Sequence, residues 1–215
     1  MGALENAIFA LMGLVIAFTF SGAAARYELR RDQIAEEAND IGTAYLRLDL
    51  LSSAAQPELR DSFKRYVEAR LAVYRKIPDM NAVRAEMDNV KALQDSIWSR
   101  SVAACREAPT PAAAMLLLPA LNAMIDIATT RTERAKLHPP AIVFVMLGVL
   151  AMVCSLFAGI GMAASRTRSW FHIIGFAAAV ALTVYVILDL EFPRIGFIRL
   201  DAADQVLQDA RDAMK

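Results

Sequence analysis

Polar side chains recur at steps of three and four residues in the segment EEANDIGTAYLRLDLL, residues 36–51. Glu36, Asp40, Thr43 and Arg47 share this spacing, and Glu37, Asn39 and Asp49 lie beside them. Side chains three and four residues apart lie on one face of a helix. Such a face is an ordinary solvated surface, the wall of a water-filled vestibule or a hydrogen-bonded seam between subunits. Because Asn and Thr are poor helix formers at exposed positions, the last two interpretations stay open beside the first.

The sequence does not indicate catalysis, a metal site or a cofactor. His138 and His172 each lie next to the end of an apolar segment, where we expect interfacial side chains. Cys105 and Cys154 are too few for a disulfide framework or a metal set and are predicted to be free thiols. No nucleophile lies beside a base. We therefore predict that the protein is not an enzyme and carries no cofactor.

Apolar composition points instead to a membrane. The 215 residues are 57% hydrophobic and only 21% charged. Residues 7–25, 140–164 and 170–188 contain no Asp, Glu, Lys or Arg. Since a helix needs about 20 apolar residues to cross a bilayer, we predict three transmembrane helices.

The predicted fold is an all-α integral membrane protein with a helical cytosolic module inserted between the first and second spans. Transmembrane helix 1 occupies residues 1–25, the module 26–138, transmembrane helix 2 residues 139–164, transmembrane helix 3 residues 169–190, and a cytosolic C-terminal tail residues 191–215. Seventeen Lys and Arg nearly balance sixteen Asp and Glu in the module, so we expect no nucleic-acid partner.

Orientation follows from the basic residues near the span ends. The loop between the second and third spans offers only Arg166 and Arg168, whereas the residues flanking the module and the tail offer many more. We therefore predict a multi-pass protein of the cytoplasmic membrane, with the module and the C-terminus in the cytoplasm.

Within the module the first helix is predicted to extend from the first span without a break, burying Ile41, Ala44, Tyr45 and Leu48. Further helices are predicted from Pro57, over residues 82–104 and over residues 112–137, and a short amphipathic one from Asp201. The fourth segment starts with about sixteen apolar residues that include Pro119. We expect it to be buried or interfacial, with a membrane span as the alternative.

Small residues recur every four positions in all three predicted spans. This spacing lets helix backbones approach closely in lipid, within one chain or between chains. The predicted helix-packing residues are Gly13, Ala17, Ser21, Gly148, Ser155, Gly159, Gly175 and Ala179.

Three motifs in order resemble the bacterial bestrophin-like domain family. They are the segment from GALENAIFALMG to YLRLDLL, then LNAMIDIATTRTERAKLHPP, and LDLEFPRIGFIRLD. The resemblance implies an integral membrane protein related to bestrophins, which are pentameric anion channels. Members often carry an additional apolar helix before the segment that begins here at Gly2, so the family's span count is not transferred.

Positions that match the family motifs are our candidates for a pore or a subunit interface, with no role assigned to each. We expect Asn39, Asp40, Thr43 and Arg47 to face other helices or a polar cavity. The complete set of candidates is Glu37, Asn39, Asp40, Thr43, Arg47, Asp49, Asn122, Asp126, Asp189, Glu191 and Arg194. Pro193 also matches the motif but is not a candidate.

The leading functional hypothesis is a homo-oligomeric ion channel or pore in contact with membrane lipid, with a pentamer favoured by analogy. The alternative is a non-conducting membrane scaffold that presents its helical module to a partner.

Overall fold

The computed structural model describes residues 2–108, 110–163 and 170–214, and within these residues the only regular secondary structure is helical. The α-helices are α1 (Ala3–Leu46), α2 (Gln56–Arg75), α3 (Met80–Glu107), α4 (Ala112–Ala135), α5 (Ala141–Ala163), α6 (Trp170–Glu191) and α7 (Asp201–Asp212). A 3-10 helix, Arg47–Leu50, follows α1 directly. The prediction of an all-helical fold is confirmed for these residues.

Helix α1 is the long helix that the sequence predicts, with 44 residues and a length of about 66 Å at 1.5 Å per residue. It crosses from an apolar segment into a polar one without a proline. The predicted packing side is also confirmed, because Ile41, Ala44 and Tyr45 of α1 and Leu48 of the 3-10 helix are all buried. The first part of α1 belongs to one compact unit of the structure and the second part to another.

The first of these, called here the apolar unit, contains α1 up to Glu28 and the chain from Leu137 to Ile198. Ala23, Ile187 and Leu190 form its buried cluster, against which Ile16 and Phe144 pack. Phe9 and Phe176 meet edge to face with their ring centroids 5.9 Å apart. Both Cys154 here and Cys105 in the other unit are buried free thiols, as predicted.

The second unit, called here the helical module, contains Leu29–Lys136 and the chain from Arg199 onward. Its core is formed by apolar side chains of α1, α2, α3 and α4, with Phe63, Ile97 and Leu117 fully buried. Asp79 caps α3 by accepting hydrogen bonds from the backbone N–H groups of Asn81 at 3.0 Å and Ala82 at 3.1 Å. Helix α7 packs on α2 with Leu207 buried and Arg211 donating to Glu68 at 3.0 Å.

Four of the described helices are long and apolar enough to cross a membrane, one more than the sequence prediction of three spans. The additional one is α4, Ala112–Ala135, whose apolar window is 39% buried within the structure. The windows in α1, α5 and α6 are only 17%, 11% and 17% buried. Length and composition alone thus admit α4 as a span, because its apolar run suits a module core and a bilayer equally. The predicted loop residues Arg166 and Arg168 lie outside the described residues.

Candidate functional site

Two clusters of charged side chains gather the motif residues, one in each unit. The cluster in the helical module, called here the core ion cluster, centres on Glu37 of α1. This carboxylate is fully buried. Arg70 of α2 donates to it through two nitrogens, Nε to Oε1 at 2.5 Å and Nη2 to Oε2 at 3.0 Å. Arg131 of α4 also donates to Oε2. One carboxylate therefore joins three helices of the module.

An aromatic ring completes this cluster. The guanidinium carbons of Arg70 and Arg131 lie 5.6 Å and 4.8 Å from the ring centroid of Tyr74. Arg70 also donates to the Tyr74 hydroxyl at 3.2 Å. The electron-rich ring face attracts both cations where the single carboxylate does not balance their two charges. This explains how two arginines are accommodated in a core.

The protonation of Glu37 follows from its surroundings. Burial by itself raises the pKa of a carboxyl group, because it penalises the charged form. Here the guanidinium groups of Arg70 and Arg131 outweigh burial and hold the pKa of Glu37 below its ordinary value. One turn further along α1, partial burial and the nearby carboxylates of Glu36 and Glu37 raise the pKa of Asp40. Glu37 is thus a permanent anion of the module at neutral pH.

The cluster in the apolar unit, called here the membrane-edge cluster, centres on Glu191 at the end of α6, which is 1% exposed. Arg26 of α1 donates from Nε to Oε2 of Glu191 at 2.9 Å. His138, just before α5, places Nδ1 3.0 Å from Oε1. The imidazole stacks on the ring of Phe192 with centroids 4.5 Å apart. One carboxylate at the end of α6 therefore contacts the middle of α1 and the residues just before α5.

Asp189 holds the turn that follows α6. Its two carboxylate oxygens accept the backbone N–H groups of Phe197 at 2.9 Å and Ile198 at 2.8 Å. Gly196 passes so close to this carboxylate that a Cβ at that position would lie 1.2 Å from Oδ1 of Asp189. The motif LDLEFPRIGFIRLD is thus explained locally: an acid caps a returning turn that requires glycine.

The other candidates for a pore or a subunit interface differ in how exposed they are. Arg47 donates to the carbonyl oxygen of Leu116 at 2.5 Å and therefore faces α4, while Asp49 is exposed and pairs with Arg60. Asp40 is half-buried, as is Arg194. The other exposed candidates within the single chain are Asn39, Thr43, Asn122 and Asp126.

The expectation that Asn39, Asp40, Thr43 and Arg47 all face other helices or a cavity is not met by all four within one chain. Only Arg47 contacts another helix of the chain through an identified bond, and Asn39 and Thr43 lie on the outer face. Glu37, Asp189 and Glu191, in contrast, are enclosed by the chain itself and do not lie on a surface open to a pore or a partner. Their carboxylates satisfy arginine, histidine and backbone donors, which explains why they tolerate burial.

All eight predicted helix-packing residues are exposed. They are Gly13, Ala17, Ser21, Gly148, Ser155, Gly159, Gly175 and Ala179. A Cβ added to any of the four glycines among them would meet nothing within 4 Å. Packing within the chain uses other residues, such as Ala23 and Cys154, which are fully buried.

Sequence reasoning missed Arg70, Arg131 and the pairing of His138. Arg70 lies four residues from both Tyr66 and Tyr74, inside the apolar stripe of α2. This position was the one feature of the sequence that indicated a buried ion pair. An arginine within such a stripe needs a buried acid.

Comparison with known families assigns the whole chain, apart from its first residue and its last residues, to one family. The sequence profile of the bestrophin-like domain matches residues 2–204. The chain belongs to the bestrophin-like domain family. Neither curated proteins nor solved structures gave a match. With four helices apolar enough to span a bilayer, this bestrophin-like chain is a membrane protein.

Proposed function

We propose that this bestrophin-like protein is a homo-oligomeric ion channel or pore of the bacterial cytoplasmic membrane. Its helical module lies in the cytoplasm and extends the conduction path. Family membership supports the proposal, since the resemblance to bestrophins implies a channel built from several copies. The pentamer of bestrophins is the analogy for subunit number.

The observation that carries the proposal is the outward position of the small residues. Gly148, Ser155 and Gly159 are exposed along α5, while only 11% of its apolar window is buried in the chain. Small residues at helix surfaces permit close backbone approach, which is a main route of helix association in lipid. Further copies of the chain would provide the helices that pack there.

The exposed polar residues beyond the first span are the proposed wall of the path. Asn39 and Thr43 lie on the outer face of α1, and Asn122 and Asp126 on that of α4. In an oligomer each would form a ring. Rings of polar or charged side chains of either sign select ions, so the wall is compatible with anions or cations.

Three spans rather than four fit the packing of α4. Its side chains Leu117, Leu121 and Met124 are fully buried, and Arg131 on the same helix joins the core ion cluster. A helix that contributes this much to a polar module is better placed in the cytoplasm than in lipid. The excess of basic residues flanking the module supports that orientation.

The decisive experiment is conductance of the purified protein in planar bilayers, with subunit number measured by mass in nanodiscs. We expect an oligomer that conducts. Gly148→Leu combined with Gly159→Leu should shift the mass toward monomer and abolish current. Val149→Phe is the matched control, because Val149 is exposed on the same helix, about 100° around from Gly148. An assembled wild-type protein without conductance at any tested pH or ion would contradict the proposal.

A non-conducting scaffold is the second candidate, and one surface of the module favours it. An open groove of about 350 Å³ lies between α2 and α3, lined by acidic and basic side chains that include Asp61, Arg65 and Arg100. A mixed-charge groove of this size suits a polar segment of a partner. A predominantly monomeric, silent protein in both detergent and nanodiscs would favour this function over the channel.

A further inference from the structure

A second cavity lies in the apolar unit, where α6 ends. It has a volume of about 330 Å³ and opens between the last turns of α6 and the turn that follows. Its lining is largely apolar and comprises Tyr185, Leu188, Asp189, Phe192, Ile195 and Gly196. Cavities of roughly 300 Å³ and more hold small apolar ligands in other proteins.

The one charged group in the lining is not available to a ligand as a free charge. Asp189 is buried and accepts the backbone N–H groups of Phe197 and Ile198 at 2.9 Å and 2.8 Å. A carboxylate satisfied in this way stabilises the turn instead of attracting a cation into the cavity. The cavity therefore selects for an apolar occupant.

The rim of the cavity is strongly apolar and faces outward. Ile195 is 68% exposed and Phe197 is 88% exposed, although both belong to a turn held in place by Asp189. The ring of Phe197 contacts that of Tyr185 edge to face with centroids 6.3 Å apart. Large side chains held outward in this way indicate contact with another apolar phase.

That phase is the bilayer that α6 crosses. The exposed apolar surface of α6, which includes Leu182 at 64%, continues to Tyr185 and Leu188 at the cavity wall. Aromatic side chains such as Tyr185 are typical of the level where a span leaves the hydrocarbon. The lipid-facing surface of α6 thus continues into the cavity.

We propose that this cavity holds the acyl chain of a membrane phospholipid and that the turn at residues 192–198 lies in the membrane interface around it. The site is independent of ion conduction, because it requires only that α6 spans the bilayer. A second copy of the chain is the competing occupant.

The first test places a tryptophan at the rim. In a background of Trp98→Phe and Trp170→Phe, Ile195→Trp is reconstituted in nanodiscs with phospholipids brominated on the acyl chain. We expect quenching close to that of Leu182→Trp in the span and well above that of Met80→Trp, an exposed position in the helical module. Quenching at Ile195 no stronger than at Met80 would overturn the proposal.

The second test fills the pocket. Leu188→Trp places an indole in the cavity, whereas Leu182→Trp adds the same bulk to the lipid-facing side of α6 outside it. Native mass spectrometry of phospholipid-reconstituted protein should show about one fewer retained phospholipid per chain for Leu188→Trp only. Equal retention in both variants would overturn the proposal, as would disulfide formation between copies through Ile195→Cys with unchanged lipid retention.

Discussion

The two charged clusters contrast in how a buried carboxylate is kept in place. Glu37 in the helical module and Glu191 in the apolar unit are 0% and 1% exposed, and each pairs with at least two basic side chains. At Glu37 the partners Arg70 and Arg131 have side chains only 2% and 5% exposed. At Glu191 the partners Arg26 and His138 are 33% and 34% exposed.

This difference separates an enclosed cluster from a partly exposed one. Arginine stays protonated in proteins, so the charges around Glu37 do not change. The core ion cluster is therefore permanently charged and closed off from solvent, whereas the partners of Glu191 remain partly exposed.

The largest expected effect on stability follows from removing the negative charge of Glu37 from the core ion cluster. Glu37→Gln leaves Arg70 and Arg131 buried with no opposite charge. Breaking a buried pair by removing one partner costs about 3 to 5 kcal/mol. Unfolding of the purified protein, followed by tryptophan fluorescence in denaturant, should show a loss of this size.

The neighbouring Glu36→Gln is the matched control, because Glu36 is exposed on the same turn. A surface substitution of this kind changes stability by no more than about 0.5 kcal/mol. If the two variants unfold at the same denaturant concentration, the core ion cluster does not stabilise the helical module.

A smaller effect is expected at the turn of the apolar unit. Gly196→Ala forces the Asp189 carboxylate or the backbone to move, since the added Cβ would lie 1.2 Å from Oδ1. Steric overpacking of this kind costs about 1 to 3 kcal/mol. Hydrogen exchange should show faster exchange of the Phe197 and Ile198 amides.

Gly175→Ala provides the comparison for this substitution, because a Cβ there meets nothing within 4 Å. It should leave exchange in the turn at the wild-type rate. Unchanged exchange at Phe197 and Ile198 in Gly196→Ala would mean that Asp189 does not hold the turn.

The helices were predictable from the sequence, whereas the partners of the charged residues were not. Apolar periodicity reports which side of a helix is buried, as at Ile41 and Leu48, because it depends on neighbours in the same helix. The partners of Glu37 are 33 and 94 residues away. Spacing along the chain does not determine distance between separate helices, so those contacts depend on tertiary packing.

At Glu37 the sequence carries two conflicting indications of burial. Its position four residues before Ile41 placed it on the apolar side of α1, yet the acids and amides around it favoured a surface interpretation. Only Arg70 within the stripe of α2 pointed to a buried acid. The sequence of α4 could not decide between a core helix and a membrane span. Its apolar window is 39% buried in the structure, which fits both.

The partly exposed contact between His138 and Glu191 is expected to contribute less to stability than the core ion cluster. His138→Ala removes a hydrogen bond to Glu191 and a stacked ring from Phe192, while Arg26 still pairs with the carboxylate. A hydrogen bond of this kind contributes about 1 kcal/mol. The melting temperature in detergent should fall by a few degrees. The exposed His172 offers the control substitution, His172→Ala, and a larger loss there than at His138 would contradict the assignment.

The smallest effect is expected from mild acid on the helical module. The pKa of Glu37 is lower in the folded protein than in the unfolded chain, so its contribution is complete above the unfolded value of about 4.3. Between pH 8 and pH 5 this contribution should not change. It should decline only as the pH falls below about 4.3 and through the lower folded value, because protons then bind the unfolded chain in preference. Hydrogen exchange of α2 and α4, corrected for the intrinsic pH dependence of exchange, measures this directly. A steady loss of protection from pH 8 to pH 5 would show that Glu37 does not keep its charge in the core, and the contrast with the membrane-edge cluster would fail.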